Sequence, residues 1–399
     1  MTLRIPPAPQ GPYWQIDHQS LEALPWVPGM MASTQDSISH GEGDVWTHTL
    51  LVLEALVADP RWRALPDRDR DSLWFAALLH DVAKPRTRRE ENGRIRNPGH
   101  SRAGALDARA ALWQAGVPFL VRERACAIIM FHQAPFWLHE RIQWKADWTL
   151  ALASLTVQPE LIALHAEADT RGRICPDQNA MFDAIEMFRL MALDIGADQP
   201  GGLSFASDEA RVSYFRDPEK RNFRDARPDM TNEGFEVILM SGLPASGKTT
   251  IRQALHRERD LPIISWDELR LTMNIDQSDN QGAVAQAARE AARVLLRRQQ
   301  SFVWDGCNLT RELRQAILGL ASSYGARTRI IYVERGEQEI GAANGARSNP
   351  VPQSAIARML RRWEIPSIAE CHALDVRVTY APGHQGAQKG LRPHTLQFK

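Results

Sequence analysis

Val237-Ile238-Leu239-Met240-Ser241-Gly242-Leu243-Pro244-Ala245-Ser246-Gly247-Lys248-Thr249-Thr250 decides how the second half of this chain is read. An apolar run, Val237–Met240, leads in as a strand, and Thr250-Ile251-Arg252-Gln253-Ala254-Leu255 leads out with helical texture. The spacing between them is G-x-x-x-x-G-K-[ST]. Glycines at the first and sixth positions let successive backbone N–H groups turn inward, and the following helix adds the partial positive charge of its N-terminus. In such a loop Lys248 reaches the β- and γ-phosphates of a nucleotide and the Thr249 hydroxyl ligates Mg²⁺. Gly242, Ala245, Ser246, Gly247 and Thr250 complete the cradle. Lysine occurs only six times in 399 residues, so a chance match is improbable.

Downstream, short β-rich runs alternate with helical segments. Strand candidates are 235–240, 261–265, 302–305, 328–334 and 376–380, and the alternation predicts a parallel sheet of the α/β class. Ile263-Ile264-Ser265-Trp266-Asp267-Glu268-Leu269-Arg270 leaves a strand and enters a helix, at the sheet edge where such folds gather substrate. Asp267 and Arg270 are three apart and share a helix face. A carboxylate there can take a hydroxyl's proton, and the arginine can hold a phosphate through two nitrogens. A solvated ion pair at a helix start fits the spacing equally well. Asp305, ending the run Val303-Trp304-Asp305, stands where an Mg²⁺-binding acid belongs. Asn344-Gly345-Ala346-Arg347-Ser348-Asn349-Pro350-Val351-Pro352 opens a polar loop before a helix with Arg358, Arg361 and Arg362, and Arg347 is the choice for a lid arginine over the transferred phosphoryl group.

The first half has a different texture. From Asp44, which caps the helix beginning at Val45, to about Leu193 the pattern predicts helix after helix, an all-α bundle. Eight of the twelve histidines precede residue 170. His48 lies on the first of these helices, His80-Asp81 ends an apolar one, and His100, His132 and Asp169 follow. Imidazole with carboxylate is the ligand mix for Mn, Fe, Co, Ni or Zn. An aspartate adjacent to a histidine can bridge two ions. His40 and His165 stay open between ligand-orienting and structural roles. The expected organisation is a helical domain at 1–195, a Gly/Pro-marked linker at 196–231 containing Asp217-Pro218-Glu219-Lys220-Arg221, and the α/β domain at 232–399.

Two resemblances follow from these motifs. Residues 232–390 resemble the phage-type 5′-OH polynucleotide kinases through the loop at 242–250, the D-x-x-R at 267–270, the D-x-x-N-L-T-R at 305–311 and the segment 347–352. The likeness implies that Asp267 is the general base, that Arg270 grips the phosphate on the 3′ side of the acceptor, and that Arg347 is the lid arginine. Residues 35–190 resemble the HD superfamily of metal-dependent phosphohydrolases. His48, His80, Asp81 and Asp169 match its core quartet, His100 and His132 match the further ligands of dinuclear members, and Lys84 in H-D-x-x-K matches a basic residue that assists at the scissile phosphate. The order of both sets is similar to the bacterial HD-Pnk family. That resemblance implies a bifunctional end-healing enzyme, in which an HD domain with one or two divalent transition metals removes 2′,3′-cyclic and 2′/3′ phosphates. A P-loop domain with NTP (ATP or GTP) and Mg²⁺ phosphorylates 5′-OH ends. The implied partners are single-stranded or broken RNA and DNA ends, with a nucleic-acid ligase acting afterwards. One departure is Ala245, where relatives of this loop often carry glycine; alanine suits the position unless it needs positive φ.

Composition limits the alternatives. Hydrophobic residues make up 44% and charged residues 24%, which fits a globular chain and argues against wholesale disorder. Lys+Arg and Asp+Glu balance at 48 each, but residues 231–399 hold 22 basic against 17 acidic side chains, leaving the first part acidic. A basic second half weakly favours a polyanionic partner. Cys126, Cys175, Cys307 and Cys371 have no paired spacing, so neither a disulfide framework nor a cysteine zinc site is expected. With no secretory signal pattern and no apolar run of about 18 residues, a cytoplasmic protein without membrane contact is expected. A small-metabolite kinase fused to an HD nucleotidase is the competing enzyme reading, and a nucleotide-responsive regulatory module is the non-enzymatic one.

Overall fold

The computed structural model describes residues 3–217, 232–276, 279, 281–379 and 394–398. The chain divides into two compact units, Met1–Ser204 and Phe205–Lys399. Residues 218–221 of the charged run and Tyr380 of the last expected strand lie outside the described residues.

The first unit is a helical bundle built from α1 (Val45–Ala58), α2 (Asp67–Leu79), α3 (His100–Gln114), α4 (Phe119–Phe131), α5 (Pro159–Arg171) and α6 (Gln178–Ile195), with a further helix at Gln143–Ser154 and shorter helical segments around them. Asp44 caps α1 by accepting the N–H groups of Trp46 and Thr47 at 2.8 and 2.9 Å. In α2 every residue from Ser72 to Leu79 is buried, and in α5 every residue from Leu161 to Thr170. Helices with stretches buried on all sides belong at the centre of a bundle. Here they carry His80-Asp81 at the end of one and His165 and Asp169 on the other. The bundle is not purely helical. Arg89–Glu91 and Arg94–Arg96 form an antiparallel hairpin turned by Asn92-Gly93, both at positive φ. Such a pair of residues suits a tight hairpin, and the charged side chains of the two strands hide it from a hydrophobic pattern.

The second unit carries α7 (Asp208–Arg216), β1 (Asn232–Ser241), α8 (Lys248–Arg259), β2 (Ile263–Ser265), α9 (Trp266–Met273), α10 (Gln281–Arg297), β3 (Phe302–Asp305), α11 (Arg311–Ser323), β4 (Ala326–Arg335), α12 (Glu337–Gly345), α13 (Gln353–Leu360), β5 (Ala373–Thr379) and β6 (His394–Phe398). The sheet order is β2-β3-β1-β4-β5-β6. The first five strands are parallel, as expected for a P-loop kinase-type α/β domain, and β6 pairs antiparallel with β5. That edge strand was not expected from the sequence. On one face of the sheet Ile238, Met240, Val303, Ile331 and Val333 form a core with Leu261, against which Ile251 and Leu255 of α8 pack. Burying each such side chain contributes about 1.5–3 kcal/mol. The packing fixes α8 beneath the C-terminal end of the central strand β1, so the loop between them is rigidly held.

All four cysteines are free thiols. No helix among the described residues is long and apolar enough to cross a membrane.

Candidate functional site

In the helical unit the predicted residues His48, His80, Asp81, His100, His132 and Asp169 converge. His48, His80 and Asp169 offer ligand atoms within 4.8 Å of one another, and so do Asp81, His100 and His132. Asp81 lies between the two sets. Its Oδ2 is 3.2 Å from His80 Nε2 and 3.8 Å from His48 Nε2, while its Oδ1 is 3.6 Å from His100 Nε2 and 3.9 Å from His132 Nε2.

The imidazoles are oriented alike. The Nδ1–H groups of His80, His100 and His132 donate to the carbonyls of Ala77, Asn97 and Ile129, three residues earlier in each case, at 2.8, 2.7 and 2.7 Å. A carbonyl only accepts, so each Nδ1 must carry the proton and each Nε2 presents its lone pair to the cluster. His48 is turned the same way by Glu42, whose Oε1 lies 2.9 Å from Nδ1, leaving Nε2 3.1 Å from Asp169 Oδ1. Glu42 also accepts from His40 Nδ1 at 2.7 Å and from the Ile174 N–H at 2.9 Å. His40 therefore stands one contact behind the cluster.

The electrostatics of this cluster fit cations. Among the described residues neither oxygen of buried Asp81 accepts a hydrogen bond. Lys84 Nζ lies 2.7 Å from its Oδ2 and donates to Gln35 Oε1 at 2.6 Å. A buried carboxylate short of donors is costly unless positive charge compensates it. Burial pushes the Asp81 and Asp169 carboxyls up, but their neighbours, His80 and Lys84 for one and Arg173 and His48 for the other, hold both well below the ordinary range. Burial, reinforced by neighbouring imidazoles, drives His132 well down, keeping its ring neutral. Arg173 grips Asp169 through two nitrogens at 2.9 and 2.8 Å. Sequence reasoning missed Glu42 and Arg173. The i, i+4 spacing of Asp169 and Arg173 was an available signal, whereas Glu42 reaches His48 from a loop no periodicity announces. His165 is fully buried with both ring nitrogens unpartnered among the described residues, its ring centre 5.2 Å from that of His80 and 5.9 Å from that of His132.

In the α/β unit the loop 242–249 leaves β1 and enters α8. Gly242 has φ +144°, and a Cβ there would meet the Val333 carbonyl oxygen at 2.2 Å, so no other residue fits. Lys248 Nζ folds back to donate to the carbonyls of Gly242 and Leu243 at 2.9 and 2.7 Å. The Ser246 hydroxyl is buried with no partner among the described residues, an orphan that a phosphate oxygen would satisfy. Thr249 and Thr250 are exposed at the start of α8. Ala245 has φ +62°, so the condition under which alanine is unsuited to its position is met.

Asp305 ends β3 directly beside Ser265 on β2, whose hydroxyl donates to it at 3.3 Å. Burial raises the Asp305 carboxyl, opposed by Arg252 and Lys248. Arg252 Nε is 3.3 Å from Asp305 Oδ2 and its Nη1 donates to Glu268 at 2.8 Å. Asp267 and Arg270 form the expected same-face pair at 2.6 Å on α9, and Arg270 Nε also donates to Gln281 at 2.8 Å. Arg347 is exposed in the turn between α12 and α13, a turn closed by Asn344, whose side chain bonds both the N–H and the carbonyl of Val351. Among the described residues no hydrogen bond or ion pair joins Arg347 to the phosphate loop. Arg335, which sequence reasoning passed over, has its guanidinium at Gly247. Asn308, in the D-x-x-N segment, is structural: its amide donates to the Met240 carbonyl at 2.7 Å and ties β1 to the turn after β3.

Comparison with known proteins finds two separate matched regions. A family model described as an HD domain matches residues 45–155, and one described as an AAA domain matches residues 237–366. The multifunctional CCA protein of Halorhodospira halophila is 33% identical over 156 residues, 38% of this chain and 34% of that protein. The CC-adding tRNA nucleotidyltransferase of Thermus thermophilus is 40% identical over 89 residues, 22% of this chain and 19% of that protein. The chain thus spans about a third or less of the length of these curated relatives. A crystal structure from Chloroflexus aurantiacus, provisionally described as a kinase, is similar at 22% identity and a TM-score of 0.32, covering 37% of this chain and 90% of that one. This polypeptide joins an HD domain to a P-loop kinase-like domain.

Proposed function

We propose that this chain heals broken nucleic-acid ends, clearing 2′,3′-cyclic and terminal phosphates with its HD domain and phosphorylating 5′-OH ends with its P-loop domain. The observation that carries the reading is the presence, in one chain, of two adjoining His/Asp triads, one of which sets Asp81 beside His48 and His80 of the other, and of a phosphate loop followed by the Asp267–Arg270 pair. One activity removes phosphate and the other adds it, and both serve a single purpose when they act on opposite sides of a break. The resemblance to the HD-Pnk family rests on the same residues in the same order. That a curated relative is named for tRNA accords with an RNA substrate.

His48, His80, Asp81 and Asp169 would hold one divalent ion, and His100 and His132 a second shared through Asp81. Ions so held supply Lewis acidity toward a phosphate ester and its attacking water. Lys84 sets a positive charge beside Asp81 for a phosphate oxygen, and Arg173 and Glu42 keep Asp169 and His48 in place. In the kinase-like domain the loop amides and Lys248 hold the donor's phosphates, with Thr249 and Asp305 placed for Mg²⁺. Asp267 takes the proton of the 5′-hydroxyl as its oxygen attacks the γ-phosphorus, the bond to the β-phosphate oxygen breaks and the nucleoside diphosphate leaves, while Arg270 grips the acceptor's neighbouring phosphate.

The test is a single-stranded RNA with a 5′-OH and a 2′,3′-cyclic phosphate, incubated with the full chain, γ-labelled NTP and a series of divalent metals. Label at the 5′ end and loss of the terminal phosphate are expected, and unlabelled oligonucleotides should compete with labelling. A kinase of small metabolites would ignore such competitors, and failure to label RNA with every metal tried would sink the proposal.

A further inference from the structure

Phosphate loops need more positive charge than one lysine supplies, since a nucleoside triphosphate with one Mg²⁺ still carries about two negative charges. The structure sets a second cation against this loop. Arg335 is the last residue of β4, the strand paired with β1 up to Ser241 opposite Tyr332. It therefore stands three residues beyond the last rung of the ladder, at the C-terminal edge of the sheet where parallel α/β folds collect their ligands.

A Cβ built on Gly247 would meet Arg335 Nη2 at 3.1 Å, Cζ at 3.5 Å and Nε at 3.7 Å. One edge of the half-buried guanidinium thus lies along the loop backbone at the residue preceding Lys248. Gly247, at φ +103°, and Lys248 are the positions whose N–H groups open α8. A guanidinium in this place offers parallel donors in the geometry that a phosphate's oxygens match.

We infer that Arg335 is the second cation of the nucleotide site, binding the polyphosphate of a nucleoside di- or triphosphate alongside Lys248. The inference rests on the reading of residues 242–249 as a nucleotide site.

The experiment is equilibrium titration of the full chain with a fluorescent ATP analogue and with ADP, each with Mg²⁺. The proteins are wild type, Lys248→Ala, Arg335→Gln and Arg335→Lys, with thermal midpoints recorded for each. Arg335→Gln should weaken both nucleotides at least tenfold, and Arg335→Lys should recover part of that loss. Wild-type affinity in Arg335→Gln, with Lys248→Ala impaired, overturns the inference and leaves the nucleotide site standing. Failure of the wild type to bind either nucleotide overturns the nucleotide reading and the inference with it. Should Arg335→Gln not fold, the lysine variant decides: affinity lowered from wild type supports the contact, and unchanged affinity overturns it.

Discussion

Ala245 holds φ at +62°, a conformation in which the Cβ of an L-residue crowds the following carbonyl at a cost of roughly 1–2 kcal/mol. Glycine escapes that cost but loses more entropy on folding, about 0.5–1 kcal/mol. Ala245→Gly should therefore raise stability by up to about 1 kcal/mol and Ala245→Val lower it by at least as much, as read by urea unfolding. A second prediction belongs to Glu42. Its carboxylate fixes the ring of His48 and, after burial opposes it, draws that imidazole's affinity for protons upward together with Asp169. Residues that orient a ligand typically matter 10–100-fold in metal affinity. Glu42→Ala should weaken Mn²⁺ binding by about that factor in calorimetric titration while leaving nucleotide binding unchanged.

At the scale of elements, His372 ties β4 to the start of β5. Its Nδ1 accepts the Thr328 N–H at 3.0 Å and lies 2.8 Å from the Thr328 hydroxyl. Burial, with Arg327 next, pushes this imidazole down from 6.5 to about 4. The folded state thus favours the neutral ring. As pH falls below 6.5 the unfolded chain takes up a proton that the folded chain refuses, so the stabilisation is present above 6.5 and is lost progressively toward pH 4, to a limit of about 3 kcal/mol. The difference in thermal midpoint between wild type and His372→Asn should narrow across that window. A difference that stays constant with pH would show that His372 does not titrate as its surroundings demand. The element scale also shows what the sequence pattern conveyed. Apolar runs marked the parallel strands, and Asp44 marked the start of α1, because burial and capping leave local traces. The hairpin at 89–96 and the edge strand β6 escaped because their pairing depends on turn chemistry and on a neighbour distant in sequence.

For the whole molecule, six scattered His and Asp residues were legible as one cluster only through their order, since periodicity says nothing about residues 121 positions apart. What the order could not convey was how the cluster is held: Glu42 arrives from a loop, and Arg335 reaches the phosphate loop from the end of a different strand. These contacts depend on tertiary packing and have no local signature. The mildly basic charge of residues 231–399 fits a partner rich in phosphate.

Lys248→Ala and Asp81→Ala, assayed side by side on one RNA that bears both a 5′-hydroxyl and a 2′,3′-cyclic phosphate, weigh the claim of two separate phosphate chemistries most directly. The lysine variant should lose transfer of label and still trim the 3′ side, while the aspartate variant should do the reverse. If either single substitution silenced both reactions, or neither, the division of labour described for this chain would be wrong.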